Sequence, residues 1–277
     1  MKQAKRTIVI LSLALASCRG PMYAPTVTPQ TISMRMLATT TAYPLLQDLA
    51  AGYSRSGVLL ALNSASAGWQ TVYEQVLVGE IPFALTTYLP PTGDLWVAPL
   101  GYDGIAIIAH AKVNVPWLTF DDLRLIFQGR VTSWAEVGGP DLPITVVSRE
   151  AGDDTRLSFE SLVMKDRRTT LAARQVLSSQ SMVDTVASTE GAVGYVSMRQ
   201  VNNRVRVIPV AVSEQDSPQT ATPETVSAET YPLRVPLLII GLQPPSVESP
   251  YYDWFSWMQS EAGQEVIGRH YARLKMN

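Results

Sequence analysis

The sequence repeats one local pattern three times: an apolar segment typical of a strand, a short polar turn, and an amphipathic helix. The predicted strands cover residues 32–37, 58–62 and 144–147. Each is followed, after the turn, by apolar residues at helical spacing, which predicts a helix with one buried face. Strands that alternate with helices imply an α/β fold with a mostly parallel sheet. Ligands of such sheets bind beyond the carboxyl ends of the strands, where the three polar turns lie.

The composition of the three turns suits a small oxyanion. They cover residues 38–43, 63–68 and 148–156, and each contains Ser or Thr, with two arginines in the third. A turn that enters a helix presents free backbone N–H groups and the positive end of the helix dipole. The pattern therefore predicts an anion site. The alternative is that these polar residues only cap their helices, as Ser, Thr and Asp commonly do. The candidate caps of the third helix are Asp153, Asp154 and Thr155.

The N-terminus has the features of an export signal. Three basic residues among the first six precede an apolar run at residues 8–15, which is too short to span a bilayer. The run ends in Leu-Ala-Ser-Cys, and Cys18 is the only cysteine of the chain. This resembles the lipobox of bacterial lipoproteins and implies a signal peptide at residues 1–17 with an acylated Cys18. The alternative is an ordinary secretory signal with an incidental cysteine.

The lipoprotein interpretation places the remaining chain outside the cytoplasm. Residues 18–30 contain three prolines among small and polar residues, which is typical of an extended tether. An acylated Cys18 would hold the domain on the cell membrane, facing the periplasm or the cell exterior. Removal of residues 1–17 leaves 19 basic and 24 acidic residues, so the mature chain carries a net charge of −5.

Several function classes are excluded by the residue counts. A single Cys cannot form an intramolecular disulfide or a cysteine-rich zinc site, and two His leave little for a metal cluster. The 22 basic and 24 acidic residues lack the basic excess of a nucleic-acid-binding protein. No G-x-S-x-G elbow, H-E-x-x-H helix or P-loop spacing is present. We therefore expect no nucleic-acid partner, no metal, no cofactor and no catalytic residues.

One long run carries a family resemblance. Residues 118–139 read L-T-F-D-D-L-R-L-I-F-Q-G-R-V-T-S-W-A-E-V-G-G. This is similar to the phosphate-binding lipoproteins of ABC importers, whose pattern L-T-x-E-x-L-x-x-I-F-x-G-x-I-x-x-W-x-x-V-G-G is followed by a strand and by S-R-x-x-G-S-G-T-R. Shorter similarities lie at residues 101–108, 190–197, 231–237 and 260–266. The resemblance extends from about residue 32 to the end of the chain.

The resemblance implies a two-lobed fold of the periplasmic-binding-protein type, classed as type II, with the anion held in the cleft at the hinge. Residues 31–108 and 209–277 would form the first lobe, and residues 109–208 the second. Lobe rotation would close the cleft over the ligand. The implied partners are a small oxyanion, phosphate first, and the permease subunits of an ABC importer. The binding protein itself would be a monomer.

The same resemblance assigns ligand-binding residues by motif position. The first two turns supply Thr40, Thr41, Ala42, Tyr43, Ser64 and Ser66. The third turn supplies Arg149, Asp153, Asp154 and Thr155. An arginine suits this role because its planar guanidinium gives two directed N–H bonds to an oxyanion.

Two departures from the family pattern concern charge. Asp153 and Asp154 stand where the family has Ser-Gly, so a donor hydroxyl becomes an acceptor-only carboxylate. The family also carries an Asp after the second helix that accepts a proton from phosphate, whereas this chain has Pro82, Phe83 and Ala84 there. In one explanation, Asp153 or Asp154 takes over the acceptor role. In the other, the pocket has drifted to another small solute, in a lipoprotein that senses or scaffolds without transport.

Overall fold

A computed structural model of the chain describes residues 31–55, 59–90, 93 and 95–275. The predicted signal peptide, the tether and Cys18 lie outside the described residues. The strands are β1 (Thr31–Thr39), β2 (Leu59–Ala67), β3 (Phe83–Thr86), β4 (Trp96–Ala109), β5 (Leu118–Thr119), β6 (Thr145–Arg149), β7 (Arg174–Val176), β8 (Ala192–Ser197), β9 (Arg206–Ile208), β10 (Val210–Ala211), β11 (Arg234–Gly241) and β12 (Ala272–Arg273). The helices are α1 (Tyr43–Arg55), α2 (Trp69–Leu77), α3 (Phe120–Phe127), α4 (Asp154–Phe159), α5 (Ser179–Ser188), α6 (Pro223–Ser227), α7 (Pro250–Gln259) and α8 (Glu261–Ile267).

Most strands of the described chain join one sheet in the order β2-β1-β3-β11-β4-β8-β6-β7, with β9 and β12 also paired to β4. Pairing is parallel among β2, β1 and β3, and again among β7, β6 and β8. The long strand β4 runs antiparallel to both of its neighbours on this path. It pairs with β11 up to Gly104 and with β8 from Ile105 onwards. The predicted α/β fold is confirmed, and each strand that leads to a predicted turn pairs in parallel with a neighbour, β1 with β2 and β6 with β8.

The two faces of β1 are covered by different helices. Met36 and Ala38 belong to the same apolar cluster as α1, whereas Leu37 belongs to the cluster that contains α2. Alternate side chains of a strand point to opposite faces, so α1 and α2 cover opposite faces of the sheet. The predicted apolar face of α1 is buried, and each of its leucines contributes about 1.5–3 kcal/mol. The fully buried residues of this face are Leu45, Leu46 and Leu49.

The second predicted turn is a strand. The sequence predicts that the second strand ends at residue 62, but β2 continues to Ala67. It pairs with β1 in unbroken register from Thr31↔Leu59 to Thr39↔Ala67. Backbone hydrogen bonds along all of β1 therefore outweigh the turn preference of the Asn-Ser segment. As a result Ser64 and Ser66 lie on a strand, beside Met36 and Ala38, and not in a turn before α2.

The third strand–turn–helix unit is confirmed with small shifts. The predicted strand at 144–147 is β6, which ends at Arg149, and α4 begins at Asp154. Asp153 is the N-cap among the three candidates, because its side chain accepts a hydrogen bond from the backbone N–H of Arg156. After α4 the chain continues as a π-helical turn over Glu160–Met164. No helix among the described residues is long and apolar enough to cross a bilayer.

Candidate anion site

The first and third turns contact each other directly at the carboxyl ends of β1 and β6. Thr40 Oγ1 donates to Asp153 Oδ2 at 3.0 Å. The hydroxyls of Thr41 and Thr155 are 2.6 Å apart, and both residues are buried. The two turns are more than a hundred residues apart in sequence, since the Thr40–Asp153 pair is separated by 113 positions. The contacts between these two turns therefore bring together four of the residues assigned from the family pattern, which are Thr40, Thr41, Asp153 and Thr155.

Arg149 is the buried cation of the site. It is the last residue of β6 and is 1% exposed. Its Nη1 donates to Ser179 Oγ at 3.1 Å, and its Nη2 donates to the Leu177 carbonyl at 3.2 Å and to Thr40 Oγ1 at 3.3 Å. Nε is buried without a hydrogen-bond partner among the described residues. The guanidinium is thus held rigidly at the junction of the two turns.

The end of β6 is positioned by Tyr195 of β8. The Tyr195 hydroxyl lies 2.9 Å from Ser148 Oγ and accepts from the Arg149 backbone N–H at 3.3 Å. Its ring stacks on Phe159 with centroids 4.4 Å apart. Burial raises the pKa of the Tyr195 hydroxyl well above its ordinary value, so it remains a neutral hydroxyl. This fixes the backbone from which the Arg149 side chain extends.

Asp153 uses both of its carboxylate oxygens. Oδ2 lies 2.6 Å from Arg149 Nη2 in an ion pair whose two side chains are each 1% exposed. Oδ1 accepts from the backbone N–H of Arg156 at 3.1 Å. Burial and the neighbouring charge of Asp154 raise the pKa of Asp153 to about 6, although Arg149, the Arg156 amide and Thr40 oppose this rise. Asp153 therefore has no oxygen to spare for a ligand proton.

Asp154 has one oxygen in use and one free. The residue is fully buried at the start of α4, and its Oδ2 accepts from Thr87 Oγ1 at 2.7 Å and from the hydroxyl of Thr39. Its Oδ1 has no hydrogen-bond partner among the described residues. A buried acceptor without a partner is uncommon in folded proteins and points to a role outside the fold itself. Among the two aspartates of this turn, Asp154 is thus the one with a buried carboxylate oxygen that has no partner in the described residues.

Two threonines that contact Asp154, Thr39 and Thr87, are not predicted from the sequence. The residues compared with the family Asp lie at the amino end of β3, whereas Thr87 follows its carboxyl end. Pro82 and Phe83 lie at the amino end of β3, which runs Phe83–Thr86 parallel to β1. The carboxyl end of β3 leads to Thr87, so Thr87 is the residue that reaches the site from this strand. The signal that identifies both threonines is their place at the carboxyl ends of parallel strands, where ligands bind.

The remaining predicted residues are placed around this centre. Ala42 is fully buried, and its carbonyl accepts from the N–H groups of Leu45 and Leu46 at the start of α1, while Tyr43 is the half-buried first residue of that helix. At the start of α2, Trp69 N donates to the Gly152 carbonyl of the third turn at 3.0 Å. Ser66 is exposed and Ser64 half-buried on β2. Within the described residues there is no group of three or more His, Cys, Asp or Glu that could hold a metal ion.

Comparison with known proteins identifies the family. Residues 24–262 match the family model described as PBP superfamily domain. The chain belongs to the PBP superfamily. The resemblance to phosphate-binding proteins stated from the sequence is confirmed, because two curated members of this kind are similar to the chain. The phosphate-binding protein PstS of Borreliella burgdorferi is 21% identical over 178 residues, which cover 60% of this chain and 61% of that protein.

The second curated relative aligns over a shorter region. The phosphate-binding protein PstS of Bacillus subtilis is 26% identical over 122 residues, which cover 44% of this chain and 40% of that protein. Both alignments therefore span less than two thirds of the length of the relative.

Solved structures of similar proteins cover most of the chain. A candidate phosphate ABC transporter substrate-binding protein from Clostridium perfringens, with bound phosphate, superposes with a TM-score of 0.78 at 25% identity and covers 88% of this chain and 100% of that structure. An ABC-type phosphate transport receptor from Vibrio cholerae superposes with a TM-score of 0.72 at 27% identity and covers 87% and 100%. The predicted two-lobed fold of the PBP type is confirmed by these matches.

Proposed function

We propose that this protein captures phosphate, or a closely related oxyanion, in a cleft between two lobes and delivers it to an ABC importer. The observation that carries the proposal is the buried guanidinium of Arg149, which lies where two turns from distant parts of the chain meet. A buried cation next to convergent hydroxyls suits recognition of an oxyanion. The phosphate-binding relatives support the choice of ligand and favour transport over the sensory or scaffolding alternative. The proposed role is binding without catalysis.

The proposed ligand-binding residues are Thr40, Thr41, Ala42, Tyr43, Ser64, Ser66, Arg149, Asp154 and Thr155. Asp153, which the family pattern also assigns to the ligand, instead has both oxygens engaged within the protein. Arg149 with Thr40 and Thr41 carries this assignment, because their donor groups converge from two different turns. The two serines on β2 are its weakest members, since they precede the end of that strand. Lobes at residues 31–108 with 209–277, and at 109–208, are part of the proposal. The change of partner along β4, from β11 to β8 after Gly104, supports a hinge near this boundary.

Selection between oxyanions would rest on Asp154. Phosphate at neutral pH carries at least one proton and sulfate carries none, so a carboxylate acceptor accommodates the first and repels the second. The sequence leaves open whether Asp153 or Asp154 supplies this acceptor. We assign it to Asp154, because Oδ1 of that residue is buried without a partner whereas both Asp153 oxygens are bonded.

Acylation of Cys18 and residence on the cell membrane, facing the periplasm or the exterior, remain part of this proposal. So do the permease partner and the monomeric state. Mass spectrometry of the processed protein tests the anchor, because cleavage before Cys18 and diacylation change the mass by a defined amount. An unmodified Cys18 would contradict the lipoprotein assignment and leave the ligand proposal intact.

Calorimetry tests the ligand. The full-length protein in detergent is titrated with inorganic phosphate, arsenate and sulfate at neutral pH. We expect phosphate and arsenate to bind and sulfate to bind at least about a hundredfold more weakly, since a buried carboxylate faces it without a proton between them. Arg149→Gln should abolish binding, while the control Arg204→Gln, in an exposed pair with Asp184, should leave it unchanged. Absence of phosphate binding in the folded protein would refute the proposal.

A further inference from the structure

Three groups of the site that could bind an oxyanion are already engaged by a carboxylate of the chain itself. Asp153 forms an ion pair with the guanidinium of Arg149 at 2.6 Å, and it accepts from the hydroxyl of Thr40 at 3.0 Å and from the backbone N–H of Arg156 at 3.1 Å. These are a buried cation, a turn hydroxyl and a helix-start amide, the same three kinds of group that bind a phosphate oxygen. The carboxylate of Asp153 thus occupies the position of an anion on Arg149.

We propose that Asp153 is an intramolecular competitor for the ligand, which an oxyanion must displace from Arg149 before it can bind. The inference rests on the proposed function and adds a residue that sets affinity. Displacement is required because Arg149 is buried, its Nη1 already binds Ser179, and Nη2, which pairs with Asp153, also donates to the Leu177 carbonyl. If Asp153 were not displaced, an anion on the same guanidinium would lie close to the Asp153 carboxylate. The two negative charges would then repel each other in a site without water to screen them.

The competitor also links ligand binding to contact between the turns. Asp153 Oδ2 bonds both Arg149 of its own turn and Thr40 of the first turn. An oxyanion that replaces the carboxylate takes over both bonds, so it can bridge the two turns in the same way. Because the bonds of Asp153 must be broken first, ligand binding becomes less favourable. The protein therefore binds the ligand more weakly than the same site with a neutral side chain at position 153.

The competition depends on the charge of Asp153. The charged and titratable groups that face it are Arg149 from β6, Asp154 and Arg156 from α4, and Tyr195 from β8. Tyr195 stays neutral because burial raises the pKa of its hydroxyl. Since the pKa of Asp153 is raised to about 6, its negative charge is lost as the pH falls through that value. Protonated Asp153 holds Arg149 less strongly, so competition weakens in acid.

Calorimetry with inorganic phosphate on full-length protein in detergent tests the competitor. Asp153→Ser and Asp153→Asn remove the charge, and both retain a side chain that can cap α4. We expect each variant to bind phosphate at least about tenfold more tightly than wild type. A gain of this size corresponds to only a small part of the repulsion between two close negative charges. The matched control is Glu150→Gln, which removes one negative charge from the same turn without touching Arg149 through its side chain, and should change affinity less than about threefold.

A pH series separates the competitor from general electrostatics. The affinity ratio of Asp153→Asn to wild type should shrink as the pH falls from 8 to 5, and the titration of phosphate itself cancels in this ratio. Equal or weaker phosphate binding by both folded Asp153 variants, with wild type binding phosphate, would overturn the competitor and leave the proposed function standing. Absence of phosphate binding in wild type and in both variants would overturn both. A gain in Glu150→Gln equal to that in Asp153→Asn would also overturn the competitor.

Discussion

Thr87 Oγ1 lies 2.7 Å from Asp154 Oδ2 and donates a hydrogen bond to it. The contact joins the residue that follows β3 to the first residue of α4, 67 positions further along the chain. Together with the hydroxyl of Thr39, it orients a fully buried carboxylate so that one oxygen is bonded and the other is left free. The two threonines therefore position Asp154 rather than the ligand itself.

Removing the Thr87 hydroxyl should destabilise the protein. Thr87→Val keeps the branched shape but leaves Asp154 Oδ2 with Thr39 as its remaining partner. We expect the free energy of unfolding in urea to fall by about 1–3 kcal/mol, because a buried acceptor of a charged hydrogen bond loses a donor. The control Thr230→Val removes an exposed hydroxyl that donates to the Thr225 carbonyl, and should cost less than about 0.5 kcal/mol. Equal losses in the two variants would contradict this role of Thr87.

Asp154→Asn should weaken the discrimination between phosphate and sulfate. The amide retains the size of the side chain but loses the acceptor-only character of the carboxylate. We expect phosphate affinity to fall about ten- to a hundredfold, because one charged hydrogen bond is lost. Sulfate affinity should stay equal or rise. Calorimetry with both anions measures the ratio, and Asp184→Asn on the surface of α5 serves as the charge-matched control. A preserved phosphate preference in Asp154→Asn would show that another group supplies the acceptor.

Asp153→Ser should lower stability even though it raises phosphate affinity. The serine still caps α4, but the buried guanidinium of Arg149 loses its ion-pair partner. We expect the free energy of unfolding to fall by about 3–5 kcal/mol without added anion, the usual result of breaking a buried pair. Phosphate at about a hundred times its Kd should restore about 2.7 kcal/mol.

The control for this variant is Asp184→Asn, which breaks a half-exposed pair with Arg204 and should cost less than about 1 kcal/mol. Thermal unfolding with and without phosphate reports both effects. A loss in Asp153→Ser no larger than in the control would mean that the buried pair contributes little to folding.

Asp103 should make stability depend on pH. It is 1% exposed on β4, and burial raises its pKa to about 7 against the bonds from Ser197 and the Gly104 amide. Because this pKa is raised, the folded protein holds the proton more tightly than the unfolded chain. The contribution of Asp103 to the free energy of unfolding is therefore largest at acidic pH and falls as the pH rises towards 7. Asp153, whose pKa is about 6, acts in the same direction.

Urea denaturation at pH 5 and pH 8 tests the effect of Asp103. Asp103→Asn cannot ionise and keeps an acceptor for the Gly104 amide, which lies 2.7 Å from Oδ1. We expect wild type to lose more stability between these pH values than Asp103→Asn loses. The exposed control Asp166→Asn, from the surface pair with Arg167, should follow wild type. Parallel pH profiles for wild type and Asp103→Asn would refute the assignment.

The sequence by itself determined the local units. Apolar spacing predicted the buried face of α1, and the polar residues after β6 predicted a cap that the structure assigns to Asp153. These features follow from contacts within a few residues, so periodicity and side-chain chemistry are sufficient to predict them. The long run at residues 118–139 also indicated the family by its sequence alone.

Only the tertiary structure decided which groups meet. The extension of β2 through Ser64 and Ser66 depends on nine paired positions of β1, which local turn preference does not reveal. The roles of Thr39 and Thr87 follow from strand order, because parallel pairing brings the ends of β1 and β3 to one edge of the sheet. Burial decides the effect of the Asp153–Arg149 pair and of the free oxygen of Asp154. Charges interact strongly only where water is excluded, so a carboxylate beside a cation controls ligand binding only in a desolvated site.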